Sequence, residues 1–217
     1  NIRQLKISKD KPYVFIYHTH TTETFLPIET NQFHTTDSKS NILSIGEIIG
    51  QVLEAKEHKV IHDKTYHDSP SYNGSYTRSL KTLRKAMEDE KNLKVVFDIH
   101  RDGIPENASY KSKALAQSKI KIDGKDVATF SLVIGPDSPN TEEVLKFAKY
   151  IKTVSDKMYP GLCKGIIVKP AGKFNQYVSN YYALIEVGSN LNTLDEAKES
   201  AKLIGQVLSA VINNIQK

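Results

Sequence analysis

The chain has little that would tie it together covalently or hold it in a membrane. One cysteine, Cys163, stands among 217 residues, so no internal disulfide can form and no cysteine cluster can hold zinc. In "PGLCKGIIV" that cysteine reads as a small buried apolar side chain. No apolar run approaches the ~18–20 residues that span a bilayer. Repeats, low-complexity tracts and linker-like stretches are missing too. The length then predicts one domain over 1–217, with a short lead-in at 1–11. The chain opens on Asn1 rather than Met, which predicts a processed form or a piece of a longer protein.

Charge of one sign is also in short supply. The net charge is +5 and the pI about 9.0, but the lysines are spread along the chain rather than gathered in one arm. No nucleic-acid partner is expected from such a distribution. A solvated lysine-rich surface is the plain reading, and it would also suit an anionic cell envelope.

Short β-branched or aromatic runs are present in number. "PYVFIYH" (12–18), "KVIHD" (59–63), "KVVFDIH" (94–100), "ATFSLVIG" (128–135), "GIIV" (165–168) and "YALIEVG" (182–188) predict strands, several apolar on both faces. Between them lie helical patterns. Ile42, Ile45, Ile49, Val52 and Leu53 mark one helix face, and Leu80, Leu83 and Met87 another. A third helix opens at Thr141 with acids in its first turn. The last carries a capping box, Thr193 with Glu196. Asp123-Gly124 between two alternating runs predicts a β-hairpin near residues 119–130. The alternation predicts an α/β fold: one domain, a mostly parallel twisted sheet, helices on both faces and that hairpin as an excursion.

In such sheets function gathers at the carboxyl ends of strands. His18 and His20 follow "VFIY", His100 ends "KVVFDI", and Glu186 lies near the end of "YALIEVG". Three separate strands would thus bring titratable groups to one edge. Zinc favours imidazole and carboxylate, with three protein ligands and one open position in a catalytic site. Asp37, just before the helix at Ile42, could supply the carboxylate or could simply cap that helix. Glu186 interrupts an apolar strand, where a carboxylate needs a partner or a proton. It reads either as an ion-paired carboxylate or as a general base. The remaining histidines, His34, His58, His62 and His67, read as ordinary polar residues, with His58 and His62 solvent-exposed. Polar, glycine-bearing stretches at 69–76 and 169–180 read as surface loops. Tyr72, Asn73, Tyr76, Asn175 and Gln176 are groove candidates there.

The segments "FIYHTHTTETFLP", "DIHRDG" and "ALIEVGSNLNT" resemble the signature segments of stage II sporulation protein P. "IHDKTYHD", "YNGSYTRSL" and "YPGLCKGI" fit in order and spacing, so the resemblance covers most of the chain. Those proteins are similar to the N-acetylmuramoyl-L-alanine amidases of the third amidase family. The resemblance implies a zinc amidase that frees stem peptides from the glycan by cutting the bond between N-acetylmuramic acid and L-alanine. Some members are credited with cutting peptide cross-links, so an endopeptidase is an alternative, and a non-catalytic wall-binding module is another. It further implies action outside the cytoplasmic membrane, in the intermembrane space of the forespore during engulfment. The partners it implies are sporulation protein D, a lytic transglycosylase, and sporulation protein M, a membrane protein. Full-length members resemble membrane-anchored proteins.

Those amidases follow a strand with Asp-Pro-Gly-His, whose histidine binds zinc. Laid on "IYHTH" without a gap, the ligand falls on His20; a slip of two puts it on His18, and the other histidine would then support the ligand. By the same resemblance His100 is the second histidine ligand and Glu186 the catalytic glutamate. The amidases place a glutamate just before a helix as middle ligand; here Asp37 stands there, with Glu23 and His34 as substitutes. Arg101 and Asp102, beside His100, could orient a ligand or grip a substrate carboxylate.

Overall fold

The computed structural model describes residues 2–27 and 33–216. Residues 1, 28–32 and 217, which the expected domain spans, lie outside the described residues. Its centre is a six-stranded sheet in the order β2 (Val60–His62), β1 (Val14–Tyr17), β3 (Val95–Asp102), β8 (Tyr181–Ser189), β6 (Phe130–Ile134), β7 (Cys163–Val168). Pairing is parallel from β2 through β8 and again between β6 and β7. The exception is the β8–β6 joint, which is antiparallel. Carboxyl ends of β1, β3 and β8 therefore share one edge, while those of β6 and β7 lie at the other.

Strand side chains alternate between faces. Val14, Ile16, Val95, Phe97, Ile99 and Ile185 join a core built with α1 (Ile42–Ala55), α4 (Thr141–Met158) and α5 (Leu194–Ile215). Phe15, Tyr17, Val96, Tyr182 and Leu184 pack on the opposite face with Leu83 of α2 (Ser75–Asp89). Helices thus cover both faces, as the double-sided strands require. The capping box forms: Thr193 Oγ1 accepts from Glu196 N, and the Glu196 carboxylate accepts from Thr193 N. β4 (Lys119–Ile122) and β5 (Lys125–Ala128) form the expected hairpin, with Asp123 and Gly124 both at positive φ. A short helix, α3 (Lys111–Ala116), precedes it.

Cys163 is buried, and burial pushes its thiol up to about 11. His58 departs from expectation, being only 3% exposed. Its ring bridges Tyr13 OH at 2.7 Å and Ser209 Oγ at 2.8 Å, tying the segment before β1 to α5. Among the described residues no helix is long and apolar enough to cross a membrane.

Candidate active site

Just after β1, Thr19, Thr21 and Thr22 each fix the backbone. Thr19 donates its N–H and Oγ1–H to the buried Asp98 carboxylate at 2.9 and 2.7 Å. Thr21 Oγ1 lies 3.0 Å from His18 O and 2.8 Å from Thr65 O. Thr22 donates its Oγ1–H to Asp68 at 2.7 Å. Held this way, the chain leaves strand geometry immediately beyond Tyr17. Two-residue periodicity ends there, so His18 and His20 do not share a face.

His18 stays on the α1 side, fully buried. Its Nδ1–H donates to Ile99 O at 2.9 Å, and its Nε2 accepts from His62 Nε2–H at 2.8 Å. Burial, then the neighbouring His62, drive its pKa down to about 3. His20 turns to the α2 side. Its ring stacks on Tyr72 at 4.1 Å and stands edge-on to His100 at 5.3 Å. Burial, then the His100 charge, lower its pKa to about 4, which keeps the imidazole neutral as a metal ligand must be.

His100 and Glu186 are register partners on adjacent parallel strands. Both point to the α2 face, into a cavity of about 420 Å³ that His20 and Glu23 also line. His100 Nε2 sits 2.9 Å from Asp98 Oδ1, close but off the line of a good hydrogen bond. His100 Nδ1 faces Glu23 Oε2 at 3.6 Å. Burial works against charge on His100, yet Asp98 and then Glu23 outweigh it and hold its pKa well above the ordinary value. Burial likewise works to raise the Asp98 carboxyl; the His100 charge and the bonds from His100 and Thr19 prevail and leave it at about 2.

Glu23 is 6% exposed and accepts from Arg101 N at 3.1 Å. Its pKa is lowered: burial acts upward, but His100 and Arg101 overcome it. Arg101 lines the same cavity, and its guanidinium donates to Thr24 O and Phe33 O at 2.8 and 2.7 Å. It therefore clamps the Glu23 loop. Glu186 has no ion-pair partner among the described residues, and its Oε2 is buried without a hydrogen bond. Burial pushes its pKa to about 8; the His100 charge opposes the rise, and Glu23 and Asp102 add to it.

The structure does not bring Asp37 to this cavity. Asp37 is exposed, and its carboxylate accepts from Lys39 N at 3.1 Å and Ser40 Oγ at 2.5 Å, a local turn. Nor does it cap α1; Asn41 does, accepting from Leu43 N at 3.0 Å. Glu23 occupies the place expected of Asp37. His34 lies at the cavity rim, its Nδ1 3.0 Å from Thr22 Oγ1. Asp102 stands outside the lining, paired to Ser189 in the sheet. Asn175 and Gln176 are buried framework rather than groove wall, whereas Tyr72 and Tyr76 do line the cavity.

Three lining or supporting residues were missed: Asp98, Lys169 and Phe174. Asp98 was findable, since it stands two residues before His100 on one strand face.

The donor set fits a zinc ion in its chemistry once His100 gives up its Nδ1 proton, as metal binding requires. Ligands of one tetrahedral zinc lie about 3.4 Å apart, given bonds of about 2.0–2.2 Å. The 3.6 Å between His100 Nδ1 and Glu23 Oε2 is near that spacing. His20 Nδ1 is buried with no protein partner. Asp98 behind His100 is the carboxylate that commonly backs a ligating histidine. Among the described residues no three such side chains converge into a finished metal cage, so the metal belongs to the proposal below.

The sheet and its covering helices match the fold of solved N-acetylmuramoyl-L-alanine amidases. The CwlD amidase from Clostridioides difficile, solved in complex with the GerS lipoprotein, is similar to this chain with a TM-score of 0.55 and 13% identity, over 94% of this chain and 98% of that one. The N-acetylmuramoyl-L-alanine amidase AmiC2 of Nostoc punctiforme is similar with a TM-score of 0.53 and 11% identity, over 96% and 98%. At those identities the likeness speaks to the fold alone. The family model for stage II sporulation protein P matches residues 1–209, and the chain belongs to that family. Stage II sporulation protein P of Bacillus subtilis (strain 168) is 33% identical over 221 aligned positions, covering 96% of this chain. The chain spans about half that relative's length, 53%.

Proposed function

We propose that this chain is the catalytic part of a zinc-dependent peptidoglycan hydrolase acting in sporulation, and that it cuts the amide between N-acetylmuramic acid and L-alanine. One observation carries the reading. A half-buried glutamate, Glu186, whose Oε2 is buried without a hydrogen-bond partner, shares a cavity with His20, Glu23 and His100. A structural carboxylate would have been given a partner. Family membership and the amidase fold support the substrate.

In this reading His20, Glu23 and His100 hold the zinc. Zinc supplies a Lewis acid that polarises a carbonyl and makes water a competent nucleophile near neutral pH. Asp98 keeps the His100 ring turned toward Glu23. Arg101 holds the Glu23 loop against the strand end. Glu186 takes the proton at its free Oε2 and returns it to the leaving amine. Burial keeps that carboxyl largely protonated near neutral pH even though the His100 and Lys169 charges oppose the rise; a bound metal cation favours the carboxylate and so readies the base. The same reading sets the protein outside the cytoplasmic membrane, in the intermembrane space of the forespore, as part of a membrane-anchored protein working beside sporulation proteins D and M. Family membership supports that placement.

Glu186→Gln tests the assignment. The amide keeps the size and cannot accept the proton, so turnover on intact sacculi falls by about 10²–10⁴-fold. Zinc content and wall binding are retained. Mass spectrometry of the wild-type products distinguishes a freed stem peptide from a cut cross-link. Near-normal hydrolysis by the variant rejects the role, and loss of zinc makes Glu186 a ligand instead.

A further inference from the structure

The cavity extends well beyond the His20–Glu23–His100 cluster. From Glu186 on β8 it crosses a floor of Leu184 and Val133, which are neighbours across the β8–β6 joint. At its far side stands Lys169, the first residue past β7. Besides His100, two basic side chains line the cavity, and they differ in what they already do. Arg101 spends its guanidinium on backbone carbonyls. Lys169 forms no ion pair with any described residue, and only its backbone is committed, N–H to Ile134 O at 3.0 Å.

The loop carrying Lys169 is rigidly built. Gln176 is fully buried and satisfies β6 twice, accepting from Gly135 N at 2.9 Å and donating to Val133 O at 2.7 Å. Asn175 donates to Tyr76 O and Ser79 Oγ of α2, both at 3.1 Å. Gly135 must be glycine, because a Cβ there would meet Gly172 O at 2.5 Å. Phe174 and Asn175 take up positive φ to close the turn. A loop this constrained fixes where its side chains are presented.

We propose that Lys169 is a specificity residue that binds a carboxylate on the peptide part of the substrate, a few residues from the bond that is cut. The inference rests on the amidase reading and adds to it the side of the cavity on which the peptide lies. Glu186 is level with Gly165 through Ser131, so Lys169 lies two strand spacings across and four residues along the sheet, about 16 Å between backbones, a gap that the long flexible lysine stem shortens. An extended peptide covers about 3.3–3.6 Å per residue. The apolar floor suits a small side chain such as alanine near the reacting amide. An ammonium at the end of that path suits an acidic residue farther along, a class of residue common in stem peptides.

The test is a binding cycle kept apart from turnover. An N-acetylmuramoyl tripeptide with free carboxylates, and the same compound with its carboxylates amidated, are titrated calorimetrically against Glu186→Gln. Both titrations are repeated with Lys169→Met and Lys169→Arg added. With Lys169 present the free acid binds about tenfold more tightly, as a charged hydrogen bond contributes. Lys169→Met discriminates less than about twofold, and Lys169→Arg keeps the preference, which a fold defect would not spare. Undiminished preference in Lys169→Met overturns the proposal, as does equal affinity or no binding when Lys169 is present. Hydrolysis of the free acid by the wild-type chain is scored separately. Its failure counts against the amidase reading and leaves the binding preference standing.

Discussion

Two histidine pairs flank the end of β1, one on each face of the sheet, and they have opposite fates. On the α1 face, His18 and His62 bond to each other, and His18 has both ring nitrogens occupied. On the α2 face, His20 and His100 meet edge to face with a carboxylate between them and an unpartnered nitrogen on His20. The ring chemistry is identical in the two pairs. What differs is access and company. A helix glycine presses on the first pair, while a cavity opens over the second. His62 Nδ1 is also without a hydrogen-bond partner, 3.4 Å from Glu47 Oε2, so what sets the two pairs apart is the cavity and the carboxylate beside it.

The largest effect expected from breaking this contrast falls on the open pair. Glu23→Ala removes the carboxylate that faces His100 Nδ1. Zinc affinity should drop by more than the roughly 10–100-fold lost with an outer partner, and hydrolysis with it. Asp37→Ala serves as the comparison and should retain both, since Asp37 is exposed and bonded only within its own turn. Metal analysis of the two purified variants decides. Retained zinc in Glu23→Ala with loss in Asp37→Ala would return the middle ligand to the position before α1.

Much of this was legible in the sequence. Double-sided apolar runs gave the covered sheet, Asp123-Gly124 gave the hairpin, and Thr193 with Glu196 gave the start of α5. Strand ends pointed to His100 and Glu186 because parallel strands leave their carboxyl ends open. The antiparallel β8–β6 joint was not legible, because its pairing is set by contacts distant in sequence. Parity could not separate His18 from His20, since it assumes a strand that in fact stops at Tyr17. Glu23 was ranked behind Asp37 for a related reason. It lies in a loop pinned by isolated bridges to His34, and through Thr24 to Asn41, with Leu26 bridged to Thr193. None of those long-range ties leaves a periodic trace.

A smaller effect belongs to the closed pair. Gly46 on α1 lies so close that an added Cβ would stand 2.5 Å from His18 Nε2 and 2.8 Å from His62 Nε2. Both rings are fixed by their hydrogen bonds and cannot swing aside cheaply. Gly46→Ala should therefore cost about 1–3 kcal/mol, the usual price of overpacking a core. Urea unfolding measures it. Zinc content per folded chain should not change, because the crowded rings are on the other face from the cavity. Loss of zinc without loss of stability would mean that the two pairs are not independent.

The smallest effect concerns His58, another buried ring with both nitrogens occupied. Neutral histidine suits its two partners: Tyr13 O–H donates to Nδ1, and Nε2–H donates to Ser209 Oγ. Protonation would put a hydrogen on Nδ1 and force the Tyr13 hydroxyl to turn its own proton away, with no described acceptor to receive it. Burial lowers the His58 pKa in the folded chain, while the unfolded chain titrates near about 6.5. The unfolded state therefore takes up this proton first as pH falls. Stability contributed by neutral His58 is complete above about 6.5 and declines below it, toward the lower folded value. His58→Gln offers the same acceptor and donor without a titration. Urea midpoints at pH 7.5 and pH 5.5 should fall further for the wild type than for the variant, so the gap between them narrows or reverses on acidification. An equal or steeper fall in the variant would show that His58 is already free to take its proton in the folded chain.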